Sequence, residues 1–293
     1  MDNLHLYYLV MLPNLLIRPN LFLRDEAVAA SQAGFKFVRL RTNVDGGPVL
    51  GRYSVMPFYN ELDDDLRNLG SWLCQSRRQH AYIADLSDWS YDLREFTPKT
   101  WSRIEDIPSG HPGAFVVKGA TSSRKDRWLT HMFAPDRSSL LTVYSRCLAD
   151  SYIEEQGAYI RRYEPLKTFL KAVNGQPITN EWRVFVLAGH VVASGYYWAT
   201  YDDETKEIRP STLPSKALAL VQKAIELIDN KAFFYTVDVA EKEDGDWIVV
   251  ELNDGQQAGL SMIDPFEFYA SLKDTLLLED VQKQIQYRRD KTI

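Results

Sequence analysis

One β-hairpin near the C-terminal end constrains the fold of this chain more than any other segment. Two apolar runs, Phe233–Ala240 and Trp247–Leu252, flank the polar sequence EDGD at positions 243–246. A turn of this composition between two runs rich in valine is typical of two antiparallel strands. We therefore expect a sheet that contains this hairpin and buries its valines.

Three side chains suited to metal binding lie on the same hairpin. Asp238 is on the first strand, and Glu251 and Asn253 are at the end of the second. Residues two apart in a strand share a face, so Glu251 and Asn253 project together, and the turn can bring Asp238 beside them. Two carboxylates and an amide oxygen are ligands that Mg²⁺ accepts. An exposed hairpin with ordinary polar faces is the alternative.

A lysine at the end of an apolar strand is the second candidate. In the sequence FVVKG (115–119), Lys118 can extend from a rigid base toward a phosphate. The next residues, TSSRKDRW, supply hydroxyl groups together with Arg124 and Lys125, and a flexible loop of this kind could close over a polyphosphate. The spaced glycines of a Walker A loop are missing. A solvated basic loop beside an edge strand is the alternative.

The sequence AYIRRYEPLK (158–167) predicts a strand that ends at a proline. The strand end carries Arg162, Tyr163 and Glu164. Backbone amides that become free there, together with the carboxylate, can hydrogen-bond an adenine edge and a ribose hydroxyl. A strand that simply runs into a proline turn is the alternative.

A fourth candidate is the strand within NEWRVFVLAGHVV (180–192). Glu181 and Arg183 share one face of this strand, while Val184 and Val186 lie on the face expected in the core. An arginine held in this way can direct two donors at phosphate or carboxylate oxygens. A structural pairing of Glu181 with Arg183 at the surface is the alternative.

The first hundred residues predict a small α/β lobe. The apolar pattern indicates strands at Leu4–Leu12 and Phe35–Leu40 and helices at Glu26–Gly34 and Asn60–Ser76. The apolar period is lost between residues 87 and 112, where prolines and polar residues accumulate. We therefore predict a boundary that separates an N-terminal lobe, residues 1–100, from a second region, residues 101–293.

The second region predicts mainly antiparallel hairpins with a few helices, so the fold class is α+β. A turn at Ala188–His190 joins two strands, and Lys216–Ile228 is the clearest helix because its apolar residues recur at helical spacing. Further helices are expected at Leu140–Leu148 and after Pro265. The tail beyond Glu279 predicts a surface helix with a frayed end.

Composition narrows the classes of function. The net charge of −6 gives no basic footprint, so nucleic acid is not expected as a partner. Two cysteines without a CxxC spacing argue against a disulfide scaffold or a thiolate zinc site. The apolar run Leu4–Leu16 is too short to cross a bilayer and is broken by a proline. We expect a cytoplasmic protein without a membrane partner, and the oligomeric state cannot be read.

The order of these segments resembles the ATP-grasp superfamily, in which two α+β subdomains clamp ATP. A lysine strand, a loop, a hinge strand, an arginine strand and an Asp/Glu/Asn hairpin follow one another, with twelve residues between Asp238 and Glu251. Members include D-alanine–D-alanine ligase and glutathione synthetase. The text GRYSVMPFYNEL (51–62) and the arginine- and lysine-rich pattern resemble the clade named for two arginines and a lysine, proposed to contain amide-forming ligases. The resemblance spans roughly residues 45–265.

The resemblance implies ligation of a carboxylate to an amine through an acylphosphate, driven by ATP with Mg²⁺. Lys118 and Arg183 would contact the nucleotide phosphates, and small molecules or peptides would supply the carboxylate and the amine. The ATP-binding set that it implies also includes residues of the loop, the hinge and the arginine strand: Arg124, Lys125, Arg162, Tyr163, Glu164 and Glu181. A module that binds ATP without catalysis and a small-molecule kinase are the alternatives. The glycine-rich cover loop of the family is replaced here by TSSRKDRW.

The N-terminal lobe offers a further hypothesis about the substrate. Arg39, Arg41, Arg52 and Tyr53 could form an anion-binding wall for an acidic acceptor. Solvated arginines on a strand face are the alternative.

Overall fold

The N-terminal region forms a four-stranded parallel sheet. The computed structural model describes residues 11–17, 24–53, 58–153 and 155–290, so the predicted strand Leu4–Leu12 lies mostly outside the described residues. The strands, in the order β2-β1-β3-β4, are β1 (Asn14–Leu16), β2 (Phe37–Val38), β3 (Gly47–Gly51) and β4 (Ser71–Leu73). Helix α1 (Arg24–Gln32) follows β1, and helix α2 (Tyr59–Asn68) precedes β4.

The predicted helix Asn60–Ser76 is wrong at its C-terminal end. The helix ends at Asn68, and Gly70 takes a φ of 72°, a left-handed conformation that a glycine adopts without strain. Trp72 and Leu73 then lie in strand β4. Their helical spacing from the leucines of α2 misled the prediction, because an apolar run this short fits both periodicities.

A second sheet with four strands contains the lysine strand. Helices α3 (Arg77–Ala84) and α4 (Leu86–Asp92) lead to it from the N-terminal region. Its antiparallel strands, in the order β5-β8-β6-β7, are β5 (Thr100–Trp101), β6 (Phe115–Gly119), β7 (Phe133–Ala134) and β8 (Ala158–Arg162). Helix α5 (Arg137–Leu148) covers one face, where Leu140 and Val143 pack against Phe115 and Ile160.

A third sheet carries the predicted hairpin. A small hairpin, β9 (Thr168–Lys171) with β10 (Pro177–Thr179), precedes it. The sheet has the order β12-β11-β13-β14, all antiparallel: β11 (Glu181–Leu187), β12 (His190–Tyr196), β13 (Phe234–Glu241) and β14 (Trp247–Asp254). Helices α6 (Asp202–Thr205) and α7 (Ser215–Ile228) lie between β12 and β13 in the chain, and α7 buries its apolar side against this sheet.

Two C-terminal helices complete the described structure. Helix α8 (Pro265–Leu276) is capped by Asp264, whose carboxylate accepts hydrogen bonds from two amides of the first turn, and helix α9 (Glu279–Asp290) follows. The prediction of α9 as a surface helix is wrong in part, because α9 buries Val281 and Ile285. These two helices pack against the N-terminal sheet, in one hydrophobic cluster with Leu15 and Trp72. The boundary at residue 100 stays a prediction.

The second and third sheets are joined by two short backbone connections. The segment after β8 bonds to the third sheet through Lys167 N and Glu241 O, 2.8 Å apart. The segment before β5 does so through Val249 N and Phe96 O, 2.7 Å apart. These connections hold the two sheets on either side of a cleft. None of the helices in the described ranges is long and apolar enough to cross a membrane.

Candidate active site

The cleft between the two sheets brings most of the predicted residues together. Strands β6 and β8 and the segment after β8 form one side, and β10, β11 and β14 form the other. Its apolar wall suits the faces of a flat aromatic base and consists of Val116, Trp128, Met132, Leu166, Ile248 and Val250. Its buried or half-buried polar residues include Lys118, Lys125, Arg161, Glu181 and Glu251.

Lys118 and Glu251 meet across the cleft from different sheets. The Lys118 Nζ donates a hydrogen bond to Glu251 Oε1, although 133 residues separate them in the chain. Lys118 is 6% exposed, and burial, followed by the nearby charges of Arg161 and Lys125, holds its pKa well below the ordinary value. An anion bound beside Lys118 would favour the charged form of the lysine and so oppose this lowering of its pKa.

Arg183 and Asp238 form a buried ion pair beside Glu251. The strand register places Asp238 opposite Arg183 on one side and opposite Glu251 on the other. Arg183 Nε lies 2.9 Å from Asp238 Oδ1, and its Nη2 lies 2.7 Å from Oδ2. Asn253 Nδ2 donates to the same Oδ2 at 3.1 Å. The three residues predicted to bind a metal ion therefore lie close together. Each of the two carboxylates is paired with a cation, Asp238 with Arg183 and Glu251 with Lys118.

Glu181 lies in the cleft wall, away from the surface. It is 4% exposed and accepts a hydrogen bond from the Thr179 hydroxyl at 3.2 Å. Burial raises the pKa of its carboxyl group, although Lys125 opposes the shift. The alternative of a surface pair between Glu181 and Arg183 is wrong, because both side chains are buried and Arg183 pairs with Asp238.

Lys125 extends from the loop after β6 to the opposite side of the cleft. Its Nζ lies 2.6 Å from the Tyr197 hydroxyl, 4.1 Å from the centre of the Tyr197 ring and 4.9 Å from that of Trp198. Asn174, in the turn between β9 and β10, donates to the Lys125 carbonyl at 2.8 Å. Burial disfavours the charged form of Lys125, but Tyr197 and Glu181 outweigh this effect and raise the pKa of Lys125. The loop thus bridges the cleft in this structure.

Arg124, by contrast, does not line the cleft. Its Nε lies 3.2 Å from Asp150 Oδ2, its Nη2 lies 3.3 Å from Asp126 Oδ2, and its guanidinium lies 5.7 Å from the centre of the Tyr152 ring. This arrangement is contrary to the expectation that Arg124 binds ATP. Its neighbour Lys125 lines the cleft instead.

Arg161 is a cleft residue that the sequence analysis missed. It is 4% exposed, bonds to Thr97 Oγ1 at 2.6 Å and to the Val250 carbonyl, and lies over the Trp89 ring. Burial lowers its pKa to about 9. In the part of the chain that the structure describes, no carboxylate lies within ion-pair distance of Arg161.

The alternation of strand β8 could have revealed Arg161. Ile160 faces the core beneath the sheet, so Arg161 faces the opposite side, where its register partner Val116 and Lys118 also lie. The predicted neighbour Arg162 is half-exposed and donates to Glu164. Both Arg162 and Glu164 line the outer part of the cleft.

The segment after β8 differs from the prediction in one respect. The Tyr163 amide, which was expected to be free, donates to the Ala114 carbonyl at 2.9 Å. The Tyr163 ring packs edge-to-face against Phe133 at 5.1 Å and lines the cleft. Tyr163 therefore forms part of the wall through its ring.

A comparison of the sequence with models of protein families identifies the family of this chain. The sequence profile of an ATP-grasp domain, described as family 3 of the clade named for two arginines and a lysine, matches residues 108–272, more than half of the chain. The chain belongs to this ATP-grasp family. The resemblance of the sequence to the superfamily and to the clade is confirmed, and so is the ATP-grasp fold. A search of curated proteins found no sequence match.

Solved ATP-grasp structures align with most of the chain. D-cycloserine synthetase DcsG aligns over 90% of this chain and 99% of its own, with 12% identity and a TM-score of 0.61. D-alanyl-alanine synthetase A from Vibrio cholerae aligns over 96% and 100%, with 12% identity and a TM-score of 0.54. ATP-grasp ligase PsnB, complexed with minimal precursor, Mg and ADP, aligns over 93% and 98%, with 13% identity and a TM-score of 0.51. At these identities the likeness concerns the fold.

The N-terminal arginines of this ATP-grasp protein do not form the predicted anion-binding wall. Arg52 is buried and pairs with Glu26, with Nη2 and Oε2 2.7 Å apart, and Nη1 donates to the carbonyls of Gly255 and Ala258. Neither alternative fits Arg52, because it is bound to protein groups and shielded from solvent. Arg39 and Arg41 are exposed, but both lie after the end of β2 rather than on a strand face, and Arg41 pairs with Asp65.

The candidate metal site of the ATP-grasp cleft consists of a mixed ligand set. Across the described ranges, no three His, Cys, Asp or Glu side chains converge in a group that could hold a metal ion. The predicted set has two acids, Asp238 and Glu251, with the Asn253 amide as its third member. A carboxylate has roughly four lone-pair positions, and three hydrogen bonds reach Asp238, so one position on Oδ1 is left. The donors present therefore fit Mg²⁺.

Proposed function

We propose that the protein is an ATP-dependent carboxylate–amine ligase that acts through an acylphosphate. The contact of Lys118 with Glu251, beside the pair of Arg183 with Asp238, carries this proposal. Lys118 and Glu251 line the apolar cleft, and the buried Arg183 and Asp238 lie on the two strands next to that of Glu251. Phosphoryl transfer needs this kind of site, because catalysis depends on positioning and on neutralising charge rather than on covalent help from the protein.

We assign Glu251, Asn253 and Asp238 to the metal ion. Glu251 lines the cleft, Asn253 keeps its amide oxygen as an acceptor, and Asp238 keeps one lone-pair position. A Mg²⁺ ion held by these residues would help to neutralise the charge of the phosphate groups. PsnB with Mg and ADP provides a precedent on the same fold.

We assign the buried cations to the nucleotide phosphates. Lys118, Arg161 and Lys125 line the cleft, and Arg183 lies two strands from Glu251, with Asp238 on the strand between them. Lys118 pairs with Glu251 and Arg183 pairs with Asp238, and the two carboxylates lie at paired positions of neighbouring strands. Each preorganised donor of this type contributes on the order of 3 kcal/mol to the transition state. The apolar wall and Tyr163 would hold the adenine ring, with Glu164 and Arg162 at its outer edge.

The proposed reaction has two steps. A substrate carboxylate oxygen attacks the γ-phosphorus of ATP, the bond to the β-phosphate oxygen breaks, and ADP leaves. An amine nitrogen then attacks the carbonyl carbon of the acylphosphate, loses a proton and expels phosphate, which leaves an amide. The names of the solved relatives, two synthetases and a ligase, support this reaction type, with small molecules or peptides as the carboxylate and the amine.

Calorimetric titration with a non-hydrolysable ATP analogue, with and without Mg²⁺, tests the nucleotide site. We expect binding by the wild type, weaker binding by Lys118→Ala, and loss of the Mg²⁺ dependence in Glu251→Gln. Glu243→Gln is the matched control, because Glu243 lies in the turn of the same hairpin and is exposed. If the wild type does not bind the analogue under any condition, the ligase proposal fails and a non-catalytic interaction module takes its place.

Product analysis then separates the remaining outcomes. Incubation with ATP and pools of amino acids and short peptides should give ADP, phosphate and a new amide. ADP with a phosphoester would instead show a kinase. Hydroxylamine in place of the amine should trap the acylphosphate as a hydroxamate, and failure to form it while amide accumulates would contradict the proposed intermediate.

A further inference from the structure

We propose that a second groove, beside the nucleotide cleft, binds an extended acidic segment of a peptide. The groove lies between helix α4 with residues 94–100 on one side and the first turns of α7 with the start of β14 on the other. Its volume is about 1090 Å³. Ligand pockets usually have roughly 300–1,000 Å³, so this groove has room for several residues of a peptide. The proposed ligase chemistry uses only the wall that this groove shares with the nucleotide cleft.

The charges that line the groove leave an excess of cations. Five cations and three acids line it. Glu164 already pairs with Arg162, and Asp246 lies 3.8 Å from Lys242. The other three cations, which have no carboxylate within ion-pair distance in the described ranges, are Arg94, Lys99 and Lys216. Of the three acids that line the groove, Glu95 alone is left to balance them.

This excess is local, which makes it informative about the ligand. The whole chain has a net charge of −6, so a basic groove is opposite in sign to the rest of the protein. Such a surface attracts carboxylates and steers their approach. A nucleic acid requires an unbroken basic path along its phosphates. Glu95 and Asp246 interrupt that path here, so a peptide with spaced carboxylates fits better.

The backbone beside the groove favours an extended ligand. Strand β5 is the end strand of its sheet and pairs with β8, and no other described strand pairs with its outer edge. Thr100 of β5 and the preceding Lys99 line the groove. A peptide can pair with an open strand edge through main-chain hydrogen bonds, and its side chains then alternate between two faces. Tyr91, 69% exposed, and the half-buried Trp247 offer aromatic contacts for the apolar side chains.

The groove and the nucleotide cleft share a wall. Pro98, Arg162, Glu164 and Ile248 line both. A peptide carboxylate near Arg162 would compete with Glu164 for its guanidinium, and Glu164 lies at the outer edge of the nucleotide cleft. Occupation of the groove should therefore change nucleotide affinity, and by linkage nucleotide should change peptide affinity by the same factor.

Fluorescence anisotropy with the full-length protein tests the proposal directly. The probe is a short fluorescein-labelled peptide of alternating glutamate and valine, and the comparison ligands are the matching lysine–valine peptide and labelled oligothymidylate. We expect the acidic peptide to bind, more weakly as salt is raised, and the other two to bind at least about tenfold more weakly. Equal or tighter binding of the lysine peptide or of oligothymidylate would overturn the proposal, and so would no binding of the acidic peptide.

Charge reversal then locates the binding surface. Lys99→Glu and Lys216→Glu should each weaken binding of the acidic peptide by about tenfold. Lys223→Glu is the matched control, because Lys223 is also an exposed lysine of α7 but lies outside the groove and pairs with Glu226. Equal losses in all three variants would show non-specific attraction and reject the site. The assay involves no ATP turnover, so its failure is distinct from a failure of the proposed ligase.

Discussion

Arg183 holds Asp238 through two hydrogen bonds between neighbouring strands. Nε lies 2.9 Å from one carboxylate oxygen and Nη2 lies 2.7 Å from the other, and Asp238 is completely buried. The planar guanidinium matches both oxygens at once, which a lysine cannot do. The pair fixes the carboxylate beside Glu251 and so links the stability of the sheet to the candidate active site.

Arg183→Met is expected to destabilise the fold as well as to abolish turnover. It leaves the Asp238 charge buried without its partner, which should lower the free energy of unfolding by about 3–5 kcal/mol. Urea denaturation followed by circular dichroism measures this loss. Removal of both charges in Arg183→Met/Asp238→Leu should recover most of the stability but no ATP turnover. If the single variant is as stable as the wild type, the pair is not structural.

Arg161 is expected to contribute to nucleotide binding more than its neighbour Arg162. Arg161→Met removes a buried cation that has no carboxylate partner in the described structure, and should weaken binding of the ATP analogue by about 10–100-fold. Arg162→Met is the matched control, because Arg162 is half-exposed and pairs with Glu164, and it should change affinity by less than about threefold. Calorimetry measures both. Equal losses in the two variants would contradict the assignment of Arg161.

Arg161 also shows what the sequence could and could not predict. The hairpin of Asp238 and Glu251 was predictable, because apolar alternation, turn composition and spacing all indicated the same structure. Lys118 followed from its place at the end of an apolar strand. The two faces of β8 were not assigned from the sequence. Arg162 was therefore named as a site residue and Arg161 was left out, although both line the cleft. Assigning Ile160 to the core would have corrected this.

Contacts between distant segments explain the other differences from the predictions. Arg124 and Lys125 are adjacent in a basic loop, and only the positions of Asp150 and Tyr197 decide which one reaches the cleft. Arg52 looked like a free strand arginine, but Glu26 and the carbonyls of the loop after β14 surround it. No local pattern in the sequence encodes such partners.

Arg52→Met is expected to destabilise the fold without a specific effect on the KM of an acidic acceptor substrate. Its guanidinium joins Glu26 of α1 to the carbonyl groups of Gly255 and Ala258, so its loss should cost about 3–5 kcal/mol in urea denaturation. Arg41→Met is the control, because Arg41 is exposed and pairs with Asp65 at 2.8 Å, and it should cost less than about 1 kcal/mol. A stable Arg52 variant that changes only acceptor KM would restore the anion-wall hypothesis.

The two cysteines are expected to be unreactive while the protein is folded. Burial raises the pKa of the Cys74 thiol to about 12 and that of Cys147 to about 11, from 9.0. Only the thiolate reacts with a disulfide reagent, so labelling near neutral pH should require unfolding. The variant Cys147→Ala reports on Cys74 alone, and labelling of its folded form at the rate of free cysteine would contradict the prediction.

The same thiols predict how stability depends on alkaline pH. Each folded-state pKa lies above the ordinary value, so the unfolded chain releases these protons first as pH rises. Their contribution to the free energy of unfolding is complete below about pH 9 and is lost as pH rises from there toward about 12 for Cys74. Urea denaturation at a series of pH values measures the slope. Cys74→Ala should flatten that slope relative to the wild type, since alanine has no proton to release, and an unchanged slope would show that other groups cause it.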